Sequence, residues 1–190
     1  MKNKILKHLS RGIFISCLAG FSAIFYYSSP YKIISYIGVE NGYLIIFILA
    51  IMGGLSTFSG VPYHLVLITL ASGGLNPLLL GTVTGIGVML GDTTSYYIGY
   101  EGREIIPEKI RKYLNKMFSF GSRYPRTLPV FFLLYGSFIP LSNDFIVISA
   151  GLAKYPFMKV MVPLAIGNLI FNISLAYLGN YTYLLIQGLF

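Results

Sequence analysis

The chain has 190 residues, of which 55% are hydrophobic and only 11% charged, and its mean hydropathy is +0.72. A soluble domain carries about 25% charged residues, so this composition excludes an ordinary soluble domain. The net charge is +8, but the bases cluster beside apolar segments, which favours membrane orientation and argues against nucleic-acid binding. The apolar segments lack the alternation of lipid-facing strands, so we predict an all-α integral membrane protein.

The N-terminal region, residues 1–40, combines a basic start with an apolar segment at 12–27. Cytoplasmic loops retain lysine and arginine, so we predict a cytoplasmic N-terminus followed by a transmembrane anchor helix. No clear cleavage site follows that segment, which argues against a removed signal peptide. The basic residues are Lys2, Lys4, Lys7 and Arg11.

The rest of the domain, 41–180, contains several apolar segments that are too short to cross a bilayer, since a crossing takes about 20 residues. Proline breaks two pairs of short segments, at Pro62 and Pro140. Because proline ends or kinks a helix, we predict two re-entrant helical hairpins with these prolines at their tips. The predicted hairpin segments are 42–58 with 65–72 and 127–139 with 145–152, and the predicted crossings are 78–100 and 157–179.

The distribution of basic residues distinguishes a returning hairpin from a full crossing for 127–152. A basic linker, 101–126, precedes it, and Lys154 and Lys159 follow it. If 127–152 enters the membrane and returns, all of these bases lie on the cytoplasmic side, as orientation by basic loops requires. The alternative, a full crossing by 127–152, would place Lys154 and Lys159 outside. We therefore favour the hairpin.

An internal repeat supports the same organisation. Pro62 precedes Gly73 by 11 residues and Pro140 precedes Gly151 by 11, at an offset of 78, while "GVMLGDTTSYYIG" and "GNLIFNISLAYLG" correspond at an offset of 80. Each repeat, about 42–100 and 127–179, holds one hairpin and one crossing, so the two would be inverted. Inverted repeats with broken helices are typical of transporters with a midplane site. A chance match of common glycines and prolines is the alternative.

The linker between the repeats contains an amphipathic segment at 107–120. Lys109, Lys112 and Lys116 fall on one side of a helix and apolar residues on the other. Such a helix lies in the membrane interface and binds anionic lipid, so we expect anionic headgroups at the cytoplasmic face as partners. The alternative is an ordinary linker helix packed on the bundle.

Motifs for enzymes are missing. The sequence has two histidines, one cysteine and no Walker-type or G-x-S-x-G loop. We therefore expect no enzymatic activity, no cofactor and no metal. We expect the plasma (inner) membrane of a prokaryote, and we leave a homo-oligomer open.

The candidate site lies beside the two breaks. His64 follows the first break and Asp144 the second, and ionisable groups within a membrane tend to be functional. If the tips face each other, His64 and Asp144 would form a midplane pair that binds substrate or relays protons. Alternatively, Asp144 caps its own half-helix, together with a neighbour such as Asn143.

Three further polar residues are interpreted as structural. Asp92 lies within a predicted crossing, and its repeat partner is Asn172; we expect both to bond to the backbone of a hairpin. Arg103 follows at the cytoplasmic boundary, where its long side chain can reach the interface.

Three stretches resemble the DedA superfamily, also called the VTT or SNARE-associated Golgi protein domain. They are "GVPYHLVLITLASGGLNP", "GDTTSYYIGYEGRE" and "GSFIPLSNDFIVISAGLAKYPF", and the resemblance covers about 40–179. The sequence departs from the family pattern at charged positions. Ser137 and Asn143 stand where the bacterial pattern has two arginines, and His64 stands where it has a glutamate.

The resemblance implies two opposed hairpins and a lipid transporter, scramblase or flippase that moves a phospholipid or polyprenyl phosphate between leaflets. Ser137 and Asn143 would then contribute hydrogen bonds to the headgroup. Two alternatives stay open. One is a proton-coupled transporter of a small soluble solute, and the other is a membrane scaffold without transport.

Overall fold

The computed structural model describes residues 30–55, 63–123, 126–140 and 142–189, and they contain helices but no strand. The predicted anchor at 12–27 and the first tip, Pro62, lie outside these residues. The helices are α1 (Pro30–Ile37), α2 (Val39–Leu55), α3 (Tyr63–Ser72), α4 (Pro77–Gly102), α5 (Glu108–Arg123), α6 (Thr127–Phe138), α7 (Asp144–Leu152) and α8 (Phe157–Leu189). The predicted all-α class is confirmed in this part of the chain. Helices α2 to α7 lie close to the predicted segments, and α8 begins where predicted but continues ten residues beyond residue 179.

Helix α1 was not predicted. It meets α2 at an angle of 98°, and the chain turns at Gly38, whose φ of +85° favours glycine. Ile34 of α1 is buried, and a Cβ added to Gly73 would collide with it. The short helix therefore covers the end of α3.

Helices α2 and α3 form a pair that returns to its starting point. The Asn76 N–H, just after α3, donates to the Tyr43 hydroxyl near the start of α2 at 3.0 Å. The Asn76 side chain also accepts from the N–H of Leu79 at 3.1 Å, and Pro77 occupies the first helical position, so α4 begins here. The α2–α3 pair thus opens at the N-terminal end of α4.

Helices α6 and α7 return in the same way, at the other end of α4. Gly121 at the end of α5 lies against both Leu128, in the first turn of α6, and Tyr155, just after α7. The Arg103 guanidinium, just after α4, donates to the carbonyl of Leu152 at the end of α7. The chain 127–152 therefore leaves this end of α4 and returns to it, which is the path that the predicted second hairpin requires.

The second helix of each pair, α3 or α7, packs mainly against the long helix of the other half of the chain, whereas α2 and α6 pack against the long helix of their own half. A Cβ added to Gly99 of α4 would collide with the carbonyl oxygen of Ile148 in α7. A Cβ added to Gly179 of α8 would lie 3.1 Å from the carbonyl oxygen of Ile68 in α3. Helices α4 and α8 also pack against each other, with Gly81 directly against the backbone of Ile173. Small residues allow this close approach of the two backbones.

Two clusters of buried apolar side chains lie at the two ends of this bundle. One gathers around α1, α3 and the start of α4, and the other around the end of α4, α7 and the start of α8. Their central members are Ile46, Leu67, Leu80 and Ala176 in the first and Tyr96, Phe132, Val147 and Leu164 in the second.

The outer surface carries many exposed large apolar side chains on α2, α4, α6 and α8. In the described part of the chain, one helix segment, Phe157–Thr182, is long and apolar enough to cross a membrane, or two if α1 and α2 count as one bent span. Helix α4 has 26 residues and a length of about 39 Å, so it is long enough to cross a membrane, but it is not apolar enough. Its polar residues, such as Asp92 and Ser95, are buried against other helices and lower its hydropathy.

The Gly99 contact predicts a stability difference between two glycines of α4. Gly99→Ala should destabilise the protein by about 1–3 kcal/mol, because the added methyl group overlaps the backbone of α7. Gly102→Ala is the control, since its methyl group would lie 3.9 Å from Leu152, an ordinary contact. Thermal unfolding in detergent, followed by circular dichroism, should show a lower Tm for Gly99→Ala alone. Equal Tm values would contradict the close α4–α7 packing.

Candidate functional site

Buried polar side chains gather where the second hairpin meets the two long helices. They come from α4, from the start of α7 and from α8, which are far apart in sequence. Because buried polar groups need hydrogen-bond partners, their contacts define the site. They are Asp92, Ser95, Asn143, Asp144, Asn168 and Asn172.

Asp92 is at the centre of this network and is only 1% exposed. Its Oδ2 accepts a hydrogen bond from Asn143 Nδ2 at 2.8 Å and another from Asn168 Nδ2 at 3.0 Å. Asn143 Nδ2 also donates to Asn168 Oδ1 at 3.1 Å. One carboxylate and two amides therefore form a closed triad that joins α4, α8 and the hairpin.

Asp144 forms a second link between the hairpin and α4. Its Oδ1 accepts from Ser95 Oγ at 2.8 Å and its Oδ2 from Ser142 Oγ at 3.0 Å. The Ser95 hydroxyl also lies 3.2 Å from the Gly54 carbonyl oxygen near the end of α2. Asp92 and Ser95 lie on one face of α4, about one turn apart. The carboxylate of Asp92 and the bond from Ser95 to Asp144 are therefore neighbours on that face.

The start of α7 is not capped in the usual way. Asn143 occupies the capping position, but its side chain makes no capping bond and turns to Asp92 instead. The backbone N–H of Asp144 donates to Ser142 Oγ at 3.3 Å. Asp144 itself lies in the first turn, where a negative charge favours a helix. The same side chain therefore favours the start of α7 and links the hairpin to α4.

Asn172, one turn after Asn168 on α8, has an unsatisfied acceptor. Its Nδ2 donates to the Asn168 carbonyl at 2.8 Å, but its Oδ1 has no donor among the described residues. The residue is 1% exposed, and an unpaired buried acceptor costs about 1–3 kcal/mol. Asn172 Oδ1 can therefore accept a hydrogen bond from a group outside the described residues.

His64 lies in a different environment from the one expected for a midplane pair. It is half-buried in the first turn of α3. Its ring is tilted by 31° against that of Tyr63, with centroids 3.9 Å apart, and lies edge-on to Phe171 of α8 at 5.5 Å. In the described part of the chain, neither a hydrogen bond nor an ion pair joins His64 to Asp144. A functional role for His64 stays a prediction.

The remaining predicted residues are placed as follows. Pro140 lies in the exposed break between α6 and α7, where the second tip was predicted. Ser137 is buried, and its hydroxyl donates to the Leu133 carbonyl of its own helix at 2.8 Å. Arg103 also donates to Asn115 Oδ1 at 3.2 Å, so it joins α4, α5 and α7.

The expected partners of Asp92 and Asn172 were not the observed ones. We expected both to bond to a hairpin backbone, but Asp92 accepts from side chains and Asn172 donates to its own helix. Asn168 and Ser95 were not predicted as site residues. Ser95 could have been found from its spacing, since it shares a face of α4 with Asp92.

Removing one donor from the triad should destabilise the fold. Asn168→Leu deprives Asp92 of one hydrogen bond and Asn143 of one of its two acceptors, so that only the bond between Asn143 and Asp92 remains. Leaving a buried polar group without a hydrogen-bond partner costs about 1–3 kcal/mol, so the Tm in detergent should fall clearly. Thr182→Ala is the control on the same helix, because Thr182 is exposed and donates only to Leu178. A Tm for Asn168→Leu equal to that of Thr182→Ala would show that the triad contributes nothing.

A scan against protein-family models matches residues 61–181 to the VTT domain, and this match covers more than half of the chain. The matched segment contains α3 to α7 and most of α8, including all six residues of the polar network. The family is membrane-associated. Neither a comparison with curated proteins nor one with solved structures gave a match. The resemblance seen in the sequence is thus confirmed, and the chain belongs to the VTT domain family, the domain of the DedA/SNARE-associated Golgi proteins.

Proposed function

We propose that this protein is a membrane lipid transporter or scramblase that moves the headgroup of a phospholipid or polyprenyl phosphate between leaflets. The observation that carries the proposal is the buried network of Asp92, Asn143 and Asn168 at a hairpin tip, inside a bundle with an apolar outer surface. Polar groups inside a membrane protein tend to mark a substrate path. Lipid tails would remain in the bilayer while the headgroup passes the polar tip.

Membrane insertion is supported by the surface and by the family. Exposed apolar side chains line the long helices, for example Leu90 on α4 and Ile166 on α8, 43% and 48% exposed. Contiguous apolar surface of this kind is unfavourable in water. The proposal puts the chain in the plasma membrane of a prokaryote with its N-terminus in the cytoplasm, on the basis of the N-terminal bases.

An inverted repeat is supported by the way the helices start and pack. The pairs α2–α3 and α6–α7 open at opposite ends of α4. The two cross-packing contacts, Gly99 with Ile148 and Gly179 with Ile68, correspond at an offset of 80. The helix starts Pro77 and Phe157 are also 80 apart.

One detail of the repeat differs from the sequence interpretation. At an offset of 80, His64 corresponds to Asp144, so both occupy the first turn of an equivalent short helix. Gly73 and Gly151, which were paired at 78, have different environments. Gly73 lies against α1, whereas Gly151 lies against the backbone of α4 at Tyr96.

The chemistry of the site favours a headgroup that donates hydrogen bonds. Asp92, Asp144 and the oxygen of Asn172, to which none of the described residues donates, all present acceptors. The hydroxyls or the amine of a headgroup could replace the amide donors of the triad one for one. The absence of arginine at Ser137 and Asn143 supports a headgroup recognised less through phosphate.

Transport can be tested in liposomes with fluorescent phospholipids or a polyprenyl phosphate, followed by quenching from outside with a membrane-impermeant reductant. The protein should accelerate the exchange between leaflets. Asp92→Asn and Asp144→Asn should slow this exchange at least about tenfold, the effect of losing one charge-assisted hydrogen bond. Thr94→Ala, an exposed residue of α4 bonded to Leu90 of the same helix, should not.

The same variants separate the alternatives. Solute-driven proton uptake that Asp144→Asn abolishes, without any lipid movement, would select a solute transporter. A scaffold would show no transport, and Asp144→Asn and His64→Gln would then change only the Tm. No acceleration of any lipid tested would contradict the proposal.

A further inference from the structure

Helix α5 presents three different surfaces. Leu114 and Phe118 are 8% and 6% exposed and face the bundle, where the Phe118 ring lies 5.4 Å from that of Tyr155. Next to them are exposed apolar side chains, of which Ile110 is 48% and Met117 46% exposed. The third surface carries exposed lysines. A helix packed on a bundle would need only the first surface, whereas a helix lying in a membrane interface also uses the other two.

An apolar groove lies beside α5, between it and the second hairpin. Its volume is about 380 Å³, which lies within the usual range for sites of small molecules, about 300–1,000 Å³. Buried Phe118 and Phe132 line it, together with exposed Met117, Phe131 and Phe145. The groove follows α6 from its first turns towards the hairpin tip, so it runs from the end of the bundle into its apolar part.

A shallow basic depression of about 460 Å³ lies on the same helix, lined by Lys109, Lys112 and Lys116 with Ile110 and Tyr113. Lys116 adjoins Met117 of the groove, and the other two lysines lie one and two turns earlier. In the described part of the chain, only Lys112 of the three forms an ion pair, with exposed Glu108 at 3.0 Å. The depression is therefore positively charged.

We propose that this depression and groove form a binding site for one anionic phospholipid, separate from the polar network at the hairpin tip. The lysines would bind the phosphate headgroup, and the groove would take one acyl chain. Charge selects this occupant, because a positively charged depression adjoins an apolar groove along the same helix. The site requires no transport activity, so it stands independently of the proposed function.

Native mass spectrometry of the full chain in detergent would test the site. The two probes are dioleoyl phosphatidylglycerol and dioleoyl phosphatidylcholine, which share acyl chains and differ in headgroup charge. One phosphatidylglycerol should be retained in preference to phosphatidylcholine. Lys109→Gln and Lys116→Gln should each weaken its binding about fivefold, from the attraction expected per basic residue near anionic lipid.

Two further variants test the parts separately. Ser149→Phe fills the groove, which Ser149 lines, and should prevent binding of both lipids while the circular dichroism spectrum stays unchanged. Lys159→Gln removes an exposed base in the first turn of α8 that lines neither the depression nor the groove, and should leave the preference intact.

Three results would overturn the proposal. Equal retention of both lipids by the unaltered chain would show that the lysines select no headgroup. A loss of preference in Lys159→Gln as large as in Lys116→Gln would show a general effect of the basic end. A dimer that Ser149→Phe dissociates would assign the groove to a second copy of the chain.

Discussion

The carboxylate of Asp92 determines how the centre of this protein is arranged. Burying a charged or polar group is unfavourable unless hydrogen bonds compensate it, and Asp92 meets this requirement with amides from two other segments. Helix α4, helix α8 and the second hairpin are therefore held together at one point. Asn143 serves this bond instead of capping α7, so Ser142 and Asp144 stabilise the start of that helix.

Glycine makes this arrangement sterically feasible. The amide and carboxylate side chains are short, so their helices must approach closely before the polar groups can bond. Gly91, next to Asp92, lies directly against Gly54 of α2, and Gly167, next to Asn168, lies against Gly136 of α6. The polar network and the glycine contacts thus stabilise the same helix crossings, one through hydrogen bonds and the other through packing.

Much of the fold could be predicted because its signals are local. Apolar runs and proline breaks specified α2 to α8, and the distribution of lysine and arginine favoured the returning hairpin at 127–152. Helix α1 was missed because its eight residues are too few for a crossing, although they carry an amphipathic pattern, and it is held in place by Gly73 from a distant segment. For the site, Asp92 and Asn143 were identified as polar residues within apolar segments, but Asn168 was not.

The sequence by itself determined the membrane-like composition, the helical segments, the family and the set of polar residues inside apolar runs. Only the tertiary structure decided which of these residues meet. It joined Asp92 to Asn143 and Asn168, joined Asp144 to Ser95, and placed His64 beside Phe171. The reason is physical: a helix follows from the pattern along its own segment, whereas the partner of a buried side chain depends on how closely and at what height two distant helices cross.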